Sequence, residues 1–538
     1  MARQDDDQNN DQEQLDEELD QTPPEENDEV KKAVPAWIIS IVIHALALGL
    51  MSLIVYATTE IVDEPAIRTT TLPPPPKVDE PKMEREIKPT DTPLDVEVES
   101  EKPSPVSELD VPVEEFSREE ENDAEKPKGR EEAKADSEMG GQGAFMAIGA
   151  GGGSSGMFGS RTGGGKKRAL GRFGGSKGGE SAVDAALRWF KKHQSPNGQW
   201  DVDGYTVNCT DAGAKCEPGT EHTDEAGDVA CTSYALLCFL GAGYDHRMPS
   251  KYKVTVKKGL DWLVSVQKGD GLLGTRNYEH AVATMAIAEA YAMSNDPALK
   301  GPAQKGIDIV LARQAKDKSG GYGLGWDYTN PNPARIDSSV SGWAVMALKS
   351  AAAGGLSIGN GMEGAKQYLE LAWKATNKDF KANDPYTDTS NFPYTWNSET
   401  GEVKVGAPGS EEHDLAPVGA LIAVFLGKKA DDVMLNSMAN HIMKYQFPAA
   451  YPCNTYYMYY NTLAIFQVAG ERWEKWNAKV RDLLVGAQRK SQDCFDGSWD
   501  FEGTKFHGYK TGRLLSTAYN CLSLEVYYRY IPVGQKAK

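Results

Sequence analysis

Twelve stretches of this chain alternate between two helical patterns, and that alternation limits the fold more than any other feature. The first pattern is amphipathic. In AVDAALRWFKKHQSPNGQW, Val183, Leu187 and Phe190 fall at i, i+4 and i+7, the spacing that lays one apolar stripe along an α-helix. The design returns in VKKGLDWLVSVQKGDGLLG (Val256, Leu260, Leu263) and GIDIVLARQAKDKSGGYGLG (Ile307, Leu311). It weakens in GAKQYLELAWKATNKDF and MLNSMANHIMKYQF, and is clear again in VRDLLVGAQRKSQDCFDGSWD (Val480, Leu484). Between these runs lie helices apolar nearly all round and rich in small residues: CTSYALLCFLGAG, HAVATMAIAEAYAMS, SVSGWAVMALKSAAAGG, APVGALIAVFLG, YYNTLAIFQVAG and LLSTAYNCLSLEVYYRY. A repeat every roughly 50–70 residues predicts stacked hairpins sharing one core. Amphipathic helices suit an outer ring and all-round apolar ones an inner ring. The predicted fold is therefore all-α, an (α/α)6 toroid over 180–538.

The rest of the chain reads differently. Residues 1–33 are acidic and polar with little to bury, which predicts a disordered tail. VPAWIISIVIHALALGLMSLIVYA, 34–57, is long enough for one transmembrane helix at about 20 residues. Lys31 and Lys32 precede it and no base follows until Arg68, so the tail is expected in the cytoplasm and the remainder outside. Residues 58–139 are proline-rich and charge-dense and predict an extended linker. About 80 such residues at about 3.1 Å each would reach on the order of 200 Å. Residues 140–179 are glycine-dominated and basic, expected as a tether; no frame in them matches a phosphate loop, and no cofactor is implied. The formal net charge of -20 is concentrated in 1–33 and 60–139, leaving the head slightly positive. That balance argues against nucleic acid as a partner.

Two resemblances add to this reading. Ser40 and His44 share one face of the 34–57 helix, and an ionisable group within a span usually faces protein. This face resembles the anchor of TonB-type proteins, whose Ser-x-x-x-His helix docks on a proton-driven motor of the ExbB–ExbD kind. The resemblance implies an ExbB/ExbD-like partner at Ser40 and His44, a place in a bacterial inner membrane, and a periplasmic head. The second resemblance lies in the hairpins. Helix, then Gln, then a glycine turn, then Trp occurs at Gln194/Trp200 and Gln488/Trp499, and in part at Gln267/Leu272 and Gln314/Tyr322. That pattern resembles the squalene cyclase and protein prenyltransferase superfamily, closest to its bacterial prenyltransferase/squalene oxidase repeat proteins.

The chemistry of that superfamily is not legible in the residues. Squalene-type cyclases need an Asp-x-Asp-Asp cluster, and the nearest text, DVDG at 201, lacks the third acid. Prenyltransferases hold zinc with Asp-x-Cys and a distant His, but Asp228 stands three before Cys231 and Asp493 is adjacent to Cys494. The Gly-Cys-Gly-Glu-Gln of complement-type thioester domains is missing as well. A zinc site from His280, Asp337 and Cys231 is unsupported by spacing, and no metal is expected. Cys209 and Cys216 bracket a short polar loop and could close a disulfide in an oxidising compartment. Cys231, Cys238 and Cys521 fall in apolar helical patterns, as buried thiols do.

Polar residues recur where the inner helices begin: Asp228, His280, Asp337, His413, Asp414 and Tyr456, with Tyr457, Tyr459 and Tyr460 beside the last. Each aspartate alone reads as a helix cap, which contributes about 1 kcal/mol. Taken as a ring they form a candidate binding or acid–base site at one mouth of the toroid. The resulting expectation is an inner-membrane-anchored periplasmic toroid acting as a TonB-like, motor-coupled adaptor for an envelope protein or ligand. The alternatives are a membrane-tethered enzyme acting on an isoprenoid lipid or envelope glycan, and a purely structural scaffold.

Overall fold

The computed structural model describes residues 161–317, 323–410, 412–501 and 508–530. The chain divides into two compact units, Met1–Glu101 and Lys102–Lys538. The acidic tail, the 34–57 stretch with Ser40 and His44, and the 58–139 linker all lie outside the described residues. Among the described residues no helix is long and apolar enough to cross a membrane.

The described part of the second unit is an α/α toroid. Its inner helices are Glu225–Gly241, Asn277–Ser294, Ser338–Ala353, Ala416–Phe425, Thr455–Val468 and Gly508–Leu524. Each packs on the next and the last returns to the first. The outer helices are Lys177–His193, Lys253–Val266, Pro297–Ala312, Gly361–Thr376, Val433–Tyr445 and Gly470–Ala487, and the sixth packs against the first. The two sequence patterns sort as physics requires. Every residue of Ala416–Phe425 and Thr455–Val468 is buried, whereas Lys177–His193 buries one face through Val183, Leu187 and Phe190. Side-chain caps start several helices: Asp224 accepts from Gly227 N, Asp432 from Met434 N and Asn454 from Tyr457 N, each satisfying a donor that the first turn leaves free.

The Gln–Trp pattern fastens neighbouring hairpins. At the end of the first outer helix Gln194 Nε2 donates to Gly198 O in its own turn (2.9 Å) and to Thr255 O in the next outer helix (3.0 Å). Trp200 Nε1 donates back to Phe190 O. Gln267 bonds Gly271 O and Pro302 O, and Gln314 bonds Leu324 O and Gly361 O. In the third hairpin Trp326, whose indole donates to Val310 O, takes the tryptophan place; Tyr322, the residue the pattern suggested, lies outside the described residues. The turn glycine has a physical reason: Gly198 adopts φ 101°, and a Cβ there would meet Lys258 O at 2.2 Å.

Gln488 closes the circle, donating to Gly497 O (2.9 Å) and to Ala182 O (2.7 Å) of the first outer helix. Gln488→Ala strips both buried carbonyls of their donor and should cost about 1–3 kcal/mol. The loss would be read as a lower urea midpoint at unchanged m; an unshifted midpoint would mean that the clamp contributes nothing to ring closure.

The end of the 140–179 stretch is more ordered than a tether. Gly163–Phe173 is a helix whose Phe173 ring packs edge-on against Phe466 at 5.2 Å. The Phe173 carbonyl accepts from Trp473 Nε1. Glycine composition alone does not reveal this, because the few residues that dock, Arg161, Ala169 and Phe173, are buried against partners far along the chain.

Candidate functional site

All six inner helices begin at the same mouth of the ring, where loops from the outer helices deliver the polar side chains. A small antiparallel sheet shapes one side: β1 (Ile336–Asp337) pairs with β2 (Thr395–Trp396), and β2 with β3 (Val403–Lys404). It holds Asp337 directly before the third inner helix. One Asp337 oxygen accepts from Ser339 N (2.9 Å), Ser339 Oγ (2.6 Å) and Val340 N (3.2 Å). The other faces Arg335 Nη2 at 3.2 Å. The carboxylate is fully buried, and burial pushes its pKa up against the opposing pull of Ser339 and Arg335.

Around it stands a half-open cluster. Arg335 pairs with Asp327, donates to Tyr394 Oη (3.4 Å) and lies over the rings of Tyr328 and Tyr394. The His413 ring is 4.2 Å from that of Tyr394, and burial together with Lys404 lowers its pKa. The charge of Asp337 also bears on Tyr278, Tyr456 and His413. Of the residues singled out in the sequence, Asp337 and His413 are linked here through Arg335 and Tyr394, while Tyr456 packs among the aromatic rings of the ring centre. Arg335 and Tyr394 belong with them and carried no sequence signal, since each stands in an irregular loop.

Below this cluster the ring's centre is filled by aromatic side chains. Trp343 stacks on Tyr459 (interplanar angle 8°) and meets Tyr234 and Tyr460 edge-on. Tyr456 packs on Tyr460 and Tyr519, and the hydroxyls of Tyr234 and Tyr519 are 3.0 Å apart. Edge-to-face and offset pairs of this kind suit the ring quadrupoles. Tyr460 Oη is buried and makes no hydrogen bond among the described residues.

Asp228 stands on the first inner helix with a different company. It is half-buried, accepts from Val202 N at 2.8 Å, and faces the Asp201–Asp203 loop. Burial raises its carboxyl to about 7, with Asp201, Asp203 and Asp224 adding to the shift and the Val202 hydrogen bond opposing it. The Asp-x-Asp stretch at 201 thus gains its third acid in space. Asp201 keeps its carboxylate bonded to Gly204 N (2.6 Å) and Gln199 Nε2 (3.0 Å).

The remaining candidates turn away from the mouth. His280 is buried, with Nδ1 accepting from Leu273 N and Nε2 donating to Gly306 O. Burial lowers its pKa to about 4, so it is a neutral imidazole tying two hairpins. Asp414 is buried against His441 Nε2 at 2.9 Å and accepts from Gly409 N, a pairing the sequence left unseen because His441 sits in a weakly patterned outer helix. Cys209 and Cys216, which could have closed a disulfide, are buried and unbridged in the structure.

These features define an α/α-toroid protein with an acid-bearing, aromatic-floored mouth. The solved structures it is similar to include the α-1,6-mannanase of Salegentibacter sp. HEL1_6, at 11% identity over 65% of this chain and 99% of that one, with a TM-score of 0.44. A D-mannose isomerase aligns at 12% identity over 66% and 97%, TM-score 0.45. The unsaturated glucuronyl hydrolase of Streptococcus agalactiae aligns at 13% over 67% and 96%, TM-score 0.41. No protein-family model and no curated protein matches the chain.

The toroid expected from the hairpin repeat is the observed fold. The motor-coupled adaptor is corrected. The solved structures named above are a mannanase, a mannose isomerase and a glucuronyl hydrolase, with neither a TonB-type protein nor a prenyltransferase among them. No described helix can cross a membrane. The ExbB/ExbD-like partner falls with it. The physical reason is that a four-residue Ser–His spacing describes one face of one helix and carries no information about the head.

Proposed function

We propose that the toroid is an enzyme acting on a glycan of the cell envelope at the mouth where the inner helices begin, with Asp228 as proton donor and Asp201 as the second carboxyl beside it. The observation that carries this reading is the Asp228 carboxyl, half-buried beside other acids and raised to about 7. A general acid is most effective when its pKa lies near the working pH, and two carboxyls in unlike surroundings are the usual means of dividing acid and base roles. The filled ring centre favours a glycan over an isoprenoid chain. A long apolar chain would have to displace Trp343 and its tyrosines, whereas a sugar needs only the polar rim and a flat aromatic floor. The unpartnered Tyr460 hydroxyl is a further polar group that a bound hydroxyl could satisfy. The periplasmic setting belongs to this proposal and rests on the order of segments in the sequence.

The test is release of reducing ends from peptidoglycan and from α- and β-linked polysaccharides between pH 4 and 9. Turnover should fall as pH rises through about 7, where Asp228 loses its proton, and Asp228→Asn should lower it about 10²–10⁴-fold. The same variant gives an independent reading of the acid's state. A carboxyl whose pKa is raised on folding weakens the fold as pH climbs from its unfolded value towards 7. Asp228→Asn should therefore flatten that part of the Tm profile. Undiminished turnover in Asp228→Asn, or no turnover on any glycan, would overturn the reading.

A further inference from the structure

The first outer helix ends on His193, and the way that ring is held decides what its outer nitrogen can do. Nδ1 lies 2.8 Å from Trp189 O. A carbonyl can only accept, so Nδ1 carries the hydrogen and Nε2 presents a lone pair. That lone pair points into a nest of sulfur. Cys209 Sγ is 3.2 Å away and Cys216 Sγ 3.7 Å. The ligand atoms of His193, Cys209 and Cys494 all lie within 4.8 Å of one another. All four side chains are buried, with exposures between 0% and 4%.

Three thiols around one imidazole nitrogen form a poor hydrogen-bonding arrangement; His193, Cys209 and Cys494 already stand together as a ligand trio, and Cys216, 3.7 Å from the nitrogen but outside that trio, would move in to complete the set. The acceptors at hand are one lone pair and the Cys494 carbonyl, which takes Cys216 S–H at 3.2 Å. Any disulfide among three cysteines leaves the third thiol over. A tetrahedral zinc with sulfur at about 2.3 Å and nitrogen at about 2.0–2.1 Å sets sulfur–nitrogen separations of about 3.6 Å, and the two observed here bracket that value. The surroundings suit the charge as well. Zinc with three thiolates and a neutral histidine carries one net negative charge, and Arg513 sits beside it. Its guanidinium lies 4.5 Å from the Phe495 ring, next to Cys494, and pairs with Glu217, next to Cys216. Trp189 supplies the outer shell twice, through its carbonyl on His193 and its indole N–H on Cys494 O, as the partners of zinc-bound residues commonly do.

We propose that His193, Cys209, Cys216 and Cys494 bind a structural zinc ion that staples the first hairpin to the last and so locks the ring shut. Four protein ligands leave no open position, which marks a structural site and not a catalytic one. Binding replaces the three S–H hydrogens, which leave as protons. The site is separate from the mouth at Asp228 and Asp337 and stands or falls without the glycan reading.

The experiment uses the full chain, purified without added metal or chelator. Elemental analysis should find about one zinc per chain. Exchange for cobalt should give the thiolate charge-transfer band and intense visible bands of a tetrahedral sulfur-rich site. Chelation should lower Tm, and zinc should restore it. Cys494→Ser should weaken zinc binding at least tenfold; should that variant fail to fold, the cobalt spectrum and chelator titration of the unaltered chain decide the question. A disulfide-linked peptide joining any two of Cys209, Cys216 and Cys494 in the non-reduced digest, without stoichiometric metal, would overturn the proposal. So would a metal-free chain that cobalt leaves colourless.

Discussion

Glu289→Ala should destabilise the toroid by about 3–5 kcal/mol, the usual result of removing one partner from a fully buried charge pair. Glu289 lies near the end of the second inner helix, at the pole opposite the acidic mouth. It meets Arg161 Nη1 at 2.8 Å and Arg529 Nη2 at 3.0 Å, and all three side chains are essentially inaccessible. The arginines also donate to Leu240 O and Leu237 O, carbonyls near the C-terminal end of the first inner helix. Cations are favoured at that end of a helix. Without Glu289 the two guanidiniums stay buried and lose the carboxylate they share, with Glu525 at 3.8 Å from Arg529.

The pH dependence of this network has a definite sign. Burial pushes the Glu289 carboxyl up, the two guanidiniums outweigh it, and the net pKa is below the ordinary value. Stability from such a group is present above its unfolded pKa and is lost as pH falls through the folded one. Chemical denaturation at pH 7 and at pH 4 measures both effects. A variant within 1 kcal/mol of the parent, or one equally sensitive to acid, would show that the network is not what seals this pole.

Trp343→Ala should cost a similar amount, about 3–5 kcal/mol. The indole is fully buried in the centre of the ring, against Tyr459 and Tyr460 of the fifth inner helix and Tyr234 of the first. Its neighbours are anchored on separate helices and cannot close over the space together, so most of the cavity would persist. Equilibrium unfolding gives the loss directly. A cost below about 1 kcal/mol would mean that the tyrosines collapse inward, and that the ring centre is looser than its packing implies.

Much of this is legible in residue order alone. Val183, Leu187 and Phe190 announced an outer helix, and the all-round apolar run of Ala416–Phe425 announced an inner one, because burial of one face or of every face is written directly in residue order. Gln194 and Trp200 were legible for the same reason: the turn they brace lies within a few residues of both. The polar residues were harder. Asp337 and His280 look alike in sequence, each a polar residue opening an apolar helix, yet one sits beneath an open cluster and the other ties two backbones together. What separates them is the direction of a side chain at a helix entrance, which depends on the loop arriving from another hairpin.

The sequence by itself determined that this chain forms six helical hairpins and that they stack, since both follow from a 3.6-residue period and from glycine and proline signals within each repeat. Only the tertiary structure decided which polar groups meet. Asp228 acquires Asp201 because the loop before the helix folds back over its first turn. The 305 positions between Trp189 and Cys494 vanish because the sixth hairpin closes on the first. Local pattern can specify a repeat, but the contacts made by closing a ring are distant in sequence and obey no spacing rule, and both the proposed catalytic acids and the proposed zinc site depend on contacts of that kind.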